Sequence, residues 1–212
     1  MSRIILSLGK MAALNEYLNH LITMSSKGRG GPYNSGIGYG IYFENQLKVH
    51  KILKDPESLM DKNEIYGTAF IGYAGNELDT NGDPSIVYIQ PYTHDMLSFV
   101  SDSKVKVNEN GGKLIFNLLL KGFAHAIVNL RQMEFDSLNF ILTDGKYAAV
   151  YREVRKDWAL HSLFYKFEDD RFTVSSEEMH GKWYELDDRT LLIFRDGRIK
   201  EYNVKEEVPH VL

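Results

Sequence analysis

The sequence predicts one α+β domain built mainly from antiparallel strands, and three observations lead there. Short apolar runs recur along the chain with turn residues between them, and Asp-Gly between two such runs, as at Asp144-Gly145 and Asp196-Gly197, is the strongest local hairpin signal. Only two stretches carry helical spacing. The 212 residues hold no linker-like segment and no repeat, which fits a single domain over residues 1–212.

Along the chain, Ile4 to Leu8 reads as a buried strand. Met11, Leu14, Leu18, Leu21 and Ile22 then recur on one helical face, which predicts an amphipathic helix over 11–24. Ser25 to Ser35, with Gly28, Gly30, Gly31 and Pro32, reads as a loop. Gly36 to Phe43 and Leu47 to Leu53 form a hairpin across Glu44-Asn45-Gln46. Tyr66 to Tyr73 is a further strand, Asn76 to Ser85 a polar loop, and residues 86–100 hold short strands around Pro91. Lys113 to Met133 reads as the longest helix, with Leu114, Leu118, Phe123, Ile127 and Leu130 near one face. The rest reads as a β-meander: Leu138–Leu142 with Tyr147–Val154, Leu160–Phe167 with Phe172–Ser175, and Leu191–Phe194 with Ile199–Val204.

Composition excludes several functions. Hydrophobic residues are 43% and charged residues 25%, as in ordinary globular chains. Lys plus Arg is 25 and Asp plus Glu 29, a net charge of −4, so no basic excess is present to attract a nucleic acid. No apolar run approaches the ~18 residues of a membrane span. Lys10 interrupts the apolar start before a secretory segment could form, so a cytoplasmic location is expected. The absence of cysteine excludes disulfides, thiolate metal sites and a cysteine nucleophile. The seven histidines show neither H-x-H nor H-E-x-x-H spacing, so no metal and no cofactor is expected.

Few residues point to chemistry by themselves. His94-Asp95 could orient an imidazole for base work, but a loop histidine beside a turn-forming aspartate is the simpler reading. Gly36-Ile37-Gly38-Tyr39-Gly40 has the look of a phosphate loop, yet strand-like residues follow it rather than a helix, and the glycines instead suit a close neighbouring backbone. Trp158 and Trp183 read as core or edge aromatics, and Lys205-Glu206-Glu207 as a solvated charge run. Ser2 stands directly before a buried strand. After removal of Met1, its free α-amine could serve as base for its own hydroxyl, and a flexible terminal serine is the plain alternative.

The order of several segments bears on that choice. Met1-Ser2-Arg3-Ile4 resembles the Met-Cys-Arg start of stand-alone class II glutamine amidotransferases. Gly38-Tyr39-Gly40-Ile41 resembles that family's Asp-Gly-Trp-Gly-Ile strand, and Ala69-Phe70-Ile71-Gly72-Tyr73-Ala74 stands where the family has Ala-His-Val-Arg. Gln90-Pro91-Tyr92 is similar to its Asn-x-x-Pro-Phe, and Asn139-Phe140 through Asp144-Gly145 to its Asn-Phe-x-x-x-Asp-Gly hairpin. Ser175-Ser176-Glu177 and Trp183 are similar to its Ala-Ser-Glu and following Trp. The resemblance spans nearly the whole chain. It implies the N-terminal-nucleophile hydrolase fold, an αββα sandwich of two antiparallel sheets.

By family position, the resemblance implies Ser2 as nucleophile and a substrate pocket at Gly38, Tyr39, Phe70, Gly72, Tyr73, Asp102 and Ser103. The chain departs from the family at each of its working positions. Ser2 replaces Cys, Phe70 and Gly72 replace His and Arg, and Ser101-Asp102-Ser103 replaces the His-Asn-Gly of the oxyanion segment. The expectation is a degenerate amidotransferase acting as a binding or interaction module, with a small amide ligand or a protein as partner. A Ser2-dependent amidohydrolase of another amide, or an amidotransferase whose Cys has been mutated to Ser, are the alternatives. A homo-oligomer stays open.

Overall fold

The computed structural model describes residues 2–29, 36–52, 64–75, 77–78, 87–88, 90–107 and 110–204. Met1, residues 30–35, most of the Asn76–Ser85 loop and the tail from Lys205 lie outside the described residues. The first half runs β1 (Arg3–Ala13), α1 (Asn15–Lys27), β2 (Ile37–Phe43), β3 (Gln46–Ile52), β4 (Tyr66–Ala74), β5 (Glu77–Leu78), β6 (Val87–Tyr88), β7 (Tyr92–His94), β8 (Leu97–Ser101) and β9 (Lys104–Val105). The second half runs α2 (Gly111–Leu119), α3 (Phe123–Arg131), β10 (Phe135–Thr143), β11 (Tyr147–Val154), β12 (Phe164–Glu168), β13 (Arg171–Ser175), β14 (Tyr184–Glu185), β15 (Thr190–Arg195) and β16 (Arg198–Asn203).

Two seven-stranded antiparallel sheets hold most of these strands. One has the order β14-β12-β13-β1-β4-β2-β3, and the other runs β16-β15-β11-β10-β8-β7 with β9 beside β10. Their inner faces meet through Ile4, Leu6, Leu8, Ile71, Val150 and Phe172. The outer face of the first sheet is covered by α1, which buries Leu18, Leu21 and Ile22 against Ile5, Phe70 and Ala74. The outer face of the second is covered by α2 and α3, whose Ile115, Phe116 and Ile127 pack on Phe99 and Phe140. Each helix buries one stripe, so the expected αββα sandwich results. β1 lies fourth of seven in its sheet, as a strand buried on both faces should.

Three readings of the sequence need correction. The helix predicted over 11–24 begins only at Asn15, because Ala12 and Ala13 pair with Gly67 and Tyr66 and extend β1 past a bulge. Tertiary pairing there overrides the helical spacing that began at Met11. The helix predicted over 113–133 is two helices, broken at Gly122 (φ 115°), a conformation an L-residue rarely adopts. The apparent C-terminal meander is split, since β12 to β14 join the first sheet while β10, β11, β15 and β16 join the second.

The hairpins stand where the sequence places them, except that Gln46 belongs to β3 rather than to the first turn, and they obey local chemistry. Glu44 and Asn45 (φ 47° and 59°), Asp169 and Asp170 (52° and 59°), and Asp196 and Gly197 (51° and 71°) all take left-handed conformations suited to two-residue hairpins. At Gly145 (φ 85°) packing adds a second demand, because a Cβ would stand 2.4 Å from the Tyr42 ring. Gly145→Ala is therefore expected to cost about 2–4 kcal/mol in urea unfolding, from overpacking and backbone strain together. Gly197 has nothing within 4 Å of its Cβ position, so Gly197→Asn should stay within about 1 kcal/mol of the parent.

Candidate functional site

The start of β1 carries Ser2 to one end of the sandwich, where it meets the segment that follows β8. The Ser2 backbone N–H donates to Asp102 Oδ1 at 3.1 Å, and Ser2 Oγ donates to the same oxygen at 3.1 Å. The other carboxylate oxygen, Oδ2, stands 3.3 Å from His161 Nδ1 and 3.9 Å from Arg3 Nη1. Contact with the carboxylate places the imidazole proton on Nδ1. Asp102, His161 and Arg3 are 3%, 3% and 1% exposed, so the cluster is inside the protein.

Local hydrogen bonds fix Asp102 in this place. Its N–H donates to the Asn139 carbonyl at 2.9 Å. The buried Gln90 side chain pairs with the Ser101 backbone in both directions, Nε2 to the carbonyl at 3.3 Å and Oε1 from the N–H at 2.5 Å. Ser103 Oγ ties β8 to β10 by accepting from the Asn139 N–H at 2.9 Å. Asn139 Nδ2 and Arg152 Nε both donate to the His161 carbonyl, at 2.8 and 3.1 Å, which holds the imidazole against Asp102. Asn139 Oδ1 is buried with no hydrogen-bond partner among the described residues, an acceptor open to a donor.

Arg3 is the cationic centre of the network. Its Nε donates to Glu177 Oε1 at 2.7 Å, and Nη1 donates to the carbonyls of Ser2 at 3.1 Å and Leu160 at 3.3 Å. Nη2 reaches the carbonyl of Arg29. The Arg29 N–H in turn donates to Glu177 Oε1 at 2.6 Å, so one carboxylate holds two segments. Two arginines and two carboxylates make a formally balanced set. Ser176 Oγ adds a clamp, accepting from the Ile4 N–H at 2.8 Å.

The residues expected at this site divide between two faces of the first sheet. Ser2, Asp102 and Ser103 are gathered here, and Tyr73 and Gly38 lie on the same inner face, paired with each other and with Ile4. Tyr39, Phe70 and Gly72 lie on the opposite face, beneath α1. There Tyr39 stacks on Phe70 at 5.6 Å, and a Cβ on Gly72 would stand 2.7 Å from Leu21. Gly75 (φ 143°) belongs to the Ser2 site instead, since its Cβ would lie 2.8 Å from that of Ser2. Sequence reasoning missed Arg3, His161, Glu177, Asn139 and Gln90 as site residues. The signal for Arg3 and Glu177 was an arginine opening an apolar strand, since a buried charge needs a partner. The signal for Gln90 was its place before Pro91. His161 carried none.

The other candidates are ordinary. His94 and Asp95 form an exposed 3.4 Å pair at a hairpin turn, Trp158 is exposed, and Trp183 is buried with its indole N–H on the His180 carbonyl. No group of three or more metal-ligating side chains and no helix long and apolar enough to cross a membrane occurs among the described residues.

Solved structures share this architecture. A glutamine aminotransferase class-II domain protein from Silicibacter pomeroyi aligns with a TM-score of 0.65 at 15% identity, over 95% of this chain and 98% of that one. The glutamine phosphoribosylpyrophosphate amidotransferase from B. subtilis, complexed with ADP and GMP, gives 0.71 at 14% identity. It is covered over 97% of this chain, but this chain spans only 50% of its length. A predicted glutamine amidotransferase from Pseudomonas aeruginosa gives 0.53 at 13%, over 93% and 94%. No protein-family model and no curated protein matches the sequence.

Two predictions follow from the network. Glu177→Ala strips Arg3 of its direct carboxylate and should cost about 2–4 kcal/mol in urea unfolding, with Glu177→Gln less harmful because it keeps an acceptor. A loss near zero would place this pair among ordinary surface ion pairs. Beside it, burial pushes the His20 imidazole below its ordinary value, against the raising pull of the Glu177 carbonyl and carboxylate. The unfolded chain then takes up this proton first, so stability is full above the ordinary value of 6.5 and declines as pH falls through it. Unfolding free energy should drop between about pH 7.5 and about pH 5.5, and His20→Gln should flatten that slope. The chain has the fold of class II glutamine amidotransferase domains, the N-terminal-nucleophile hydrolase sandwich, at low sequence identity, and holds no cysteine.

Proposed function

We propose that this protein is a class II glutamine amidotransferase-like domain that does not hydrolyse glutamine and serves as a binding or interaction module in the cytoplasm. The observation that carries the reading is the Asp102 carboxylate 3.1 Å from Ser2 Oγ. Amide hydrolysis builds negative charge on the substrate oxygen beside the nucleophile, and donors must meet it there. An ionised carboxylate about 4 Å from that charge repels it by about 4 kcal/mol at an effective dielectric constant near 20. Removing even one oxyanion donor costs about 10²–10³ in rate. Arg3, the cation nearest Ser2, is already engaged by Glu177 and by carbonyl groups, which leaves it poorly placed for a substrate carboxylate. The ligand class this reading favours is a small amide or a protein, with no role for nucleic acid.

One observation favours a second reading. The Ser2 hydroxyl points its proton at a carboxylate backed by an imidazole, so Asp102 could act as base for a Ser2-dependent amidohydrolase of an amide other than glutamine. Labelling by a fluorophosphonate probe that disappears in Ser2→Ala would support that enzyme and displace the first reading.

The direct test is glutamate release from glutamine by Ser2→Cys, with removal of Met1 confirmed by intact mass. The expected result is no release above the parent, because a better nucleophile restores only one of the missing contributions. Ser2→Cys with Asp102→Asn should gain at most a trace. Gly72→Arg is no repair, since that position has no room beneath α1. Clear glutaminase activity in Ser2→Cys alone would overturn the proposal and point to an amidotransferase that has lost only its cysteine.

A further inference from the structure

The far end of the sandwich from Ser2 holds a second concave site. From Ser2 to Gly9 the chain advances roughly 23 Å at strand rise. There the β2–β3, β10–β11, β12–β13 and β15–β16 turns surround a cleft of about 970 Å³. That volume is in the range of small-molecule sites. Its floor and walls are apolar: Leu8, Tyr42, Met96 and Phe194, with Met11 and Phe167 at the mouth. Met11 and Phe167 are 46% and 44% exposed and line the same cleft.

One wall is aromatic. Phe167 packs on Phe194 with ring centres 5.8 Å apart, and Phe194 stacks on Phe172 at 4.7 Å and 8°. Phe167, the outermost ring of this ladder, is left half open to the cleft. The same cleft is lined by four carboxylates, Glu44, Asp144, Asp170 and Asp196, and two ammonium groups, Lys10 and Lys146. Lys10 is spent on Asp170 at 2.5 Å, and Arg195 lies 3.5 Å from Asp196. Asp144 is held in place by accepting from the N–H groups of Lys146 and Tyr147 at 2.8 and 2.9 Å. With Arg195 counted, four carboxylates face three cations, an excess of one negative charge in the cleft that Phe167 also lines.

We propose that this cleft binds a small organic ammonium ion with an apolar body. A ring face and carboxylates both attract a cation, and an alkylammonium desolvates at lower cost than a metal ion. The apolar floor takes the hydrocarbon part, and the rim takes the charge. The rim is built from the hairpin turns at Glu44-Asn45, Asp169-Asp170 and Asp196-Gly197, which take left-handed conformations. This site shares no residue with the Ser2 network and does not depend on the function proposed above.

The test uses hexyltrimethylammonium, 1-hexanol and hexanoate, which share an aliphatic body and differ in charge. Each is titrated into the whole protein and followed by amide chemical-shift changes. The expected result is shifts clustered at Met11, Glu44, Phe167 and Asp196, with the ammonium binding at least tenfold tighter than hexanoate and tighter than hexanol. Phe167→Leu keeps the apolar surface and removes the ring, and Asp196→Asn removes charge from an exposed position. Each should weaken the ammonium by about three- to tenfold and leave hexanol unchanged. Equal binding of the three probes, shifts centred on Ser2, Asp102 and His161, or no shifts at millimolar probe would each overturn the proposal.

Discussion

Burial of the Arg3 guanidinium constrains everything around the start of β1. The strand is central in its sheet and covered on both faces, so the residue that opens it cannot reach water. A charge taken out of solvent must be paired and its donors satisfied, or it costs several kcal/mol. Arg3 is satisfied by Glu177 after β13, by the Leu160 carbonyl before β12, by the Arg29 carbonyl after α1 and by the approach of Asp102 after β8. Four segments distant in sequence are thus drawn to one point. The Ser2 site is assembled by the same contacts that solve this solvation problem.

The chemistry at Ser2 follows from that assembly. A neutral amide at position 102 could offer an N–H to a developing oxyanion, whereas a carboxylate offers only acceptors. The carboxylate gives Arg3 and His161 an anionic neighbour and gives both Ser2 donors a shared acceptor. The result is a polar network centred on the Asp102 carboxylate. Asn139, whose Nδ2 positions His161, keeps an open oxygen inside the cluster, so a small donor still has a partner there.

The two ends of the sandwich are built differently for a topological reason. One end gathers the start of β1, the segments after β8 and β13 and the segment before β12, where side chains of Gln90, Ser103, Asn139 and Ser176 meet the backbone of Ser101, Asn139, His161 and Ile4. The other end is made of hairpin turns, two-residue at β2–β3, β12–β13 and β15–β16 and longer at β10–β11. The carboxylates of these turns form its rim, with Asp144 also accepting from the Lys146 and Tyr147 N–H groups. Gly145 shows how tightly that rim is set, lying against the Tyr42 ring, whose hydroxyl contacts the Met96 and Thr143 carbonyls and Ser98 Oγ.

What the sequence determined by itself was local. Asp-Gly and its relatives placed the hairpins, apolar runs placed the strands, and the ordered motifs from Ser2 to Trp183 carried the αββα sandwich. Those signals lie within a few residues of one another, where backbone preference and alternation act. The helix start at Asn15, the break at Gly122 and the sharing of β10 to β16 between two sheets needed partners far along the chain. So did the site. Phe70 and Gly72 face α1 rather than Ser2 because side chains alternate across a strand, and only the register of β4 against β1 says which parity looks inward. His161 joins Asp102 across 59 residues, and Arg3 joins Glu177 across 174. Such pairings are set by burial, since a charge inside the sandwich accepts only the partners that folding brings within reach.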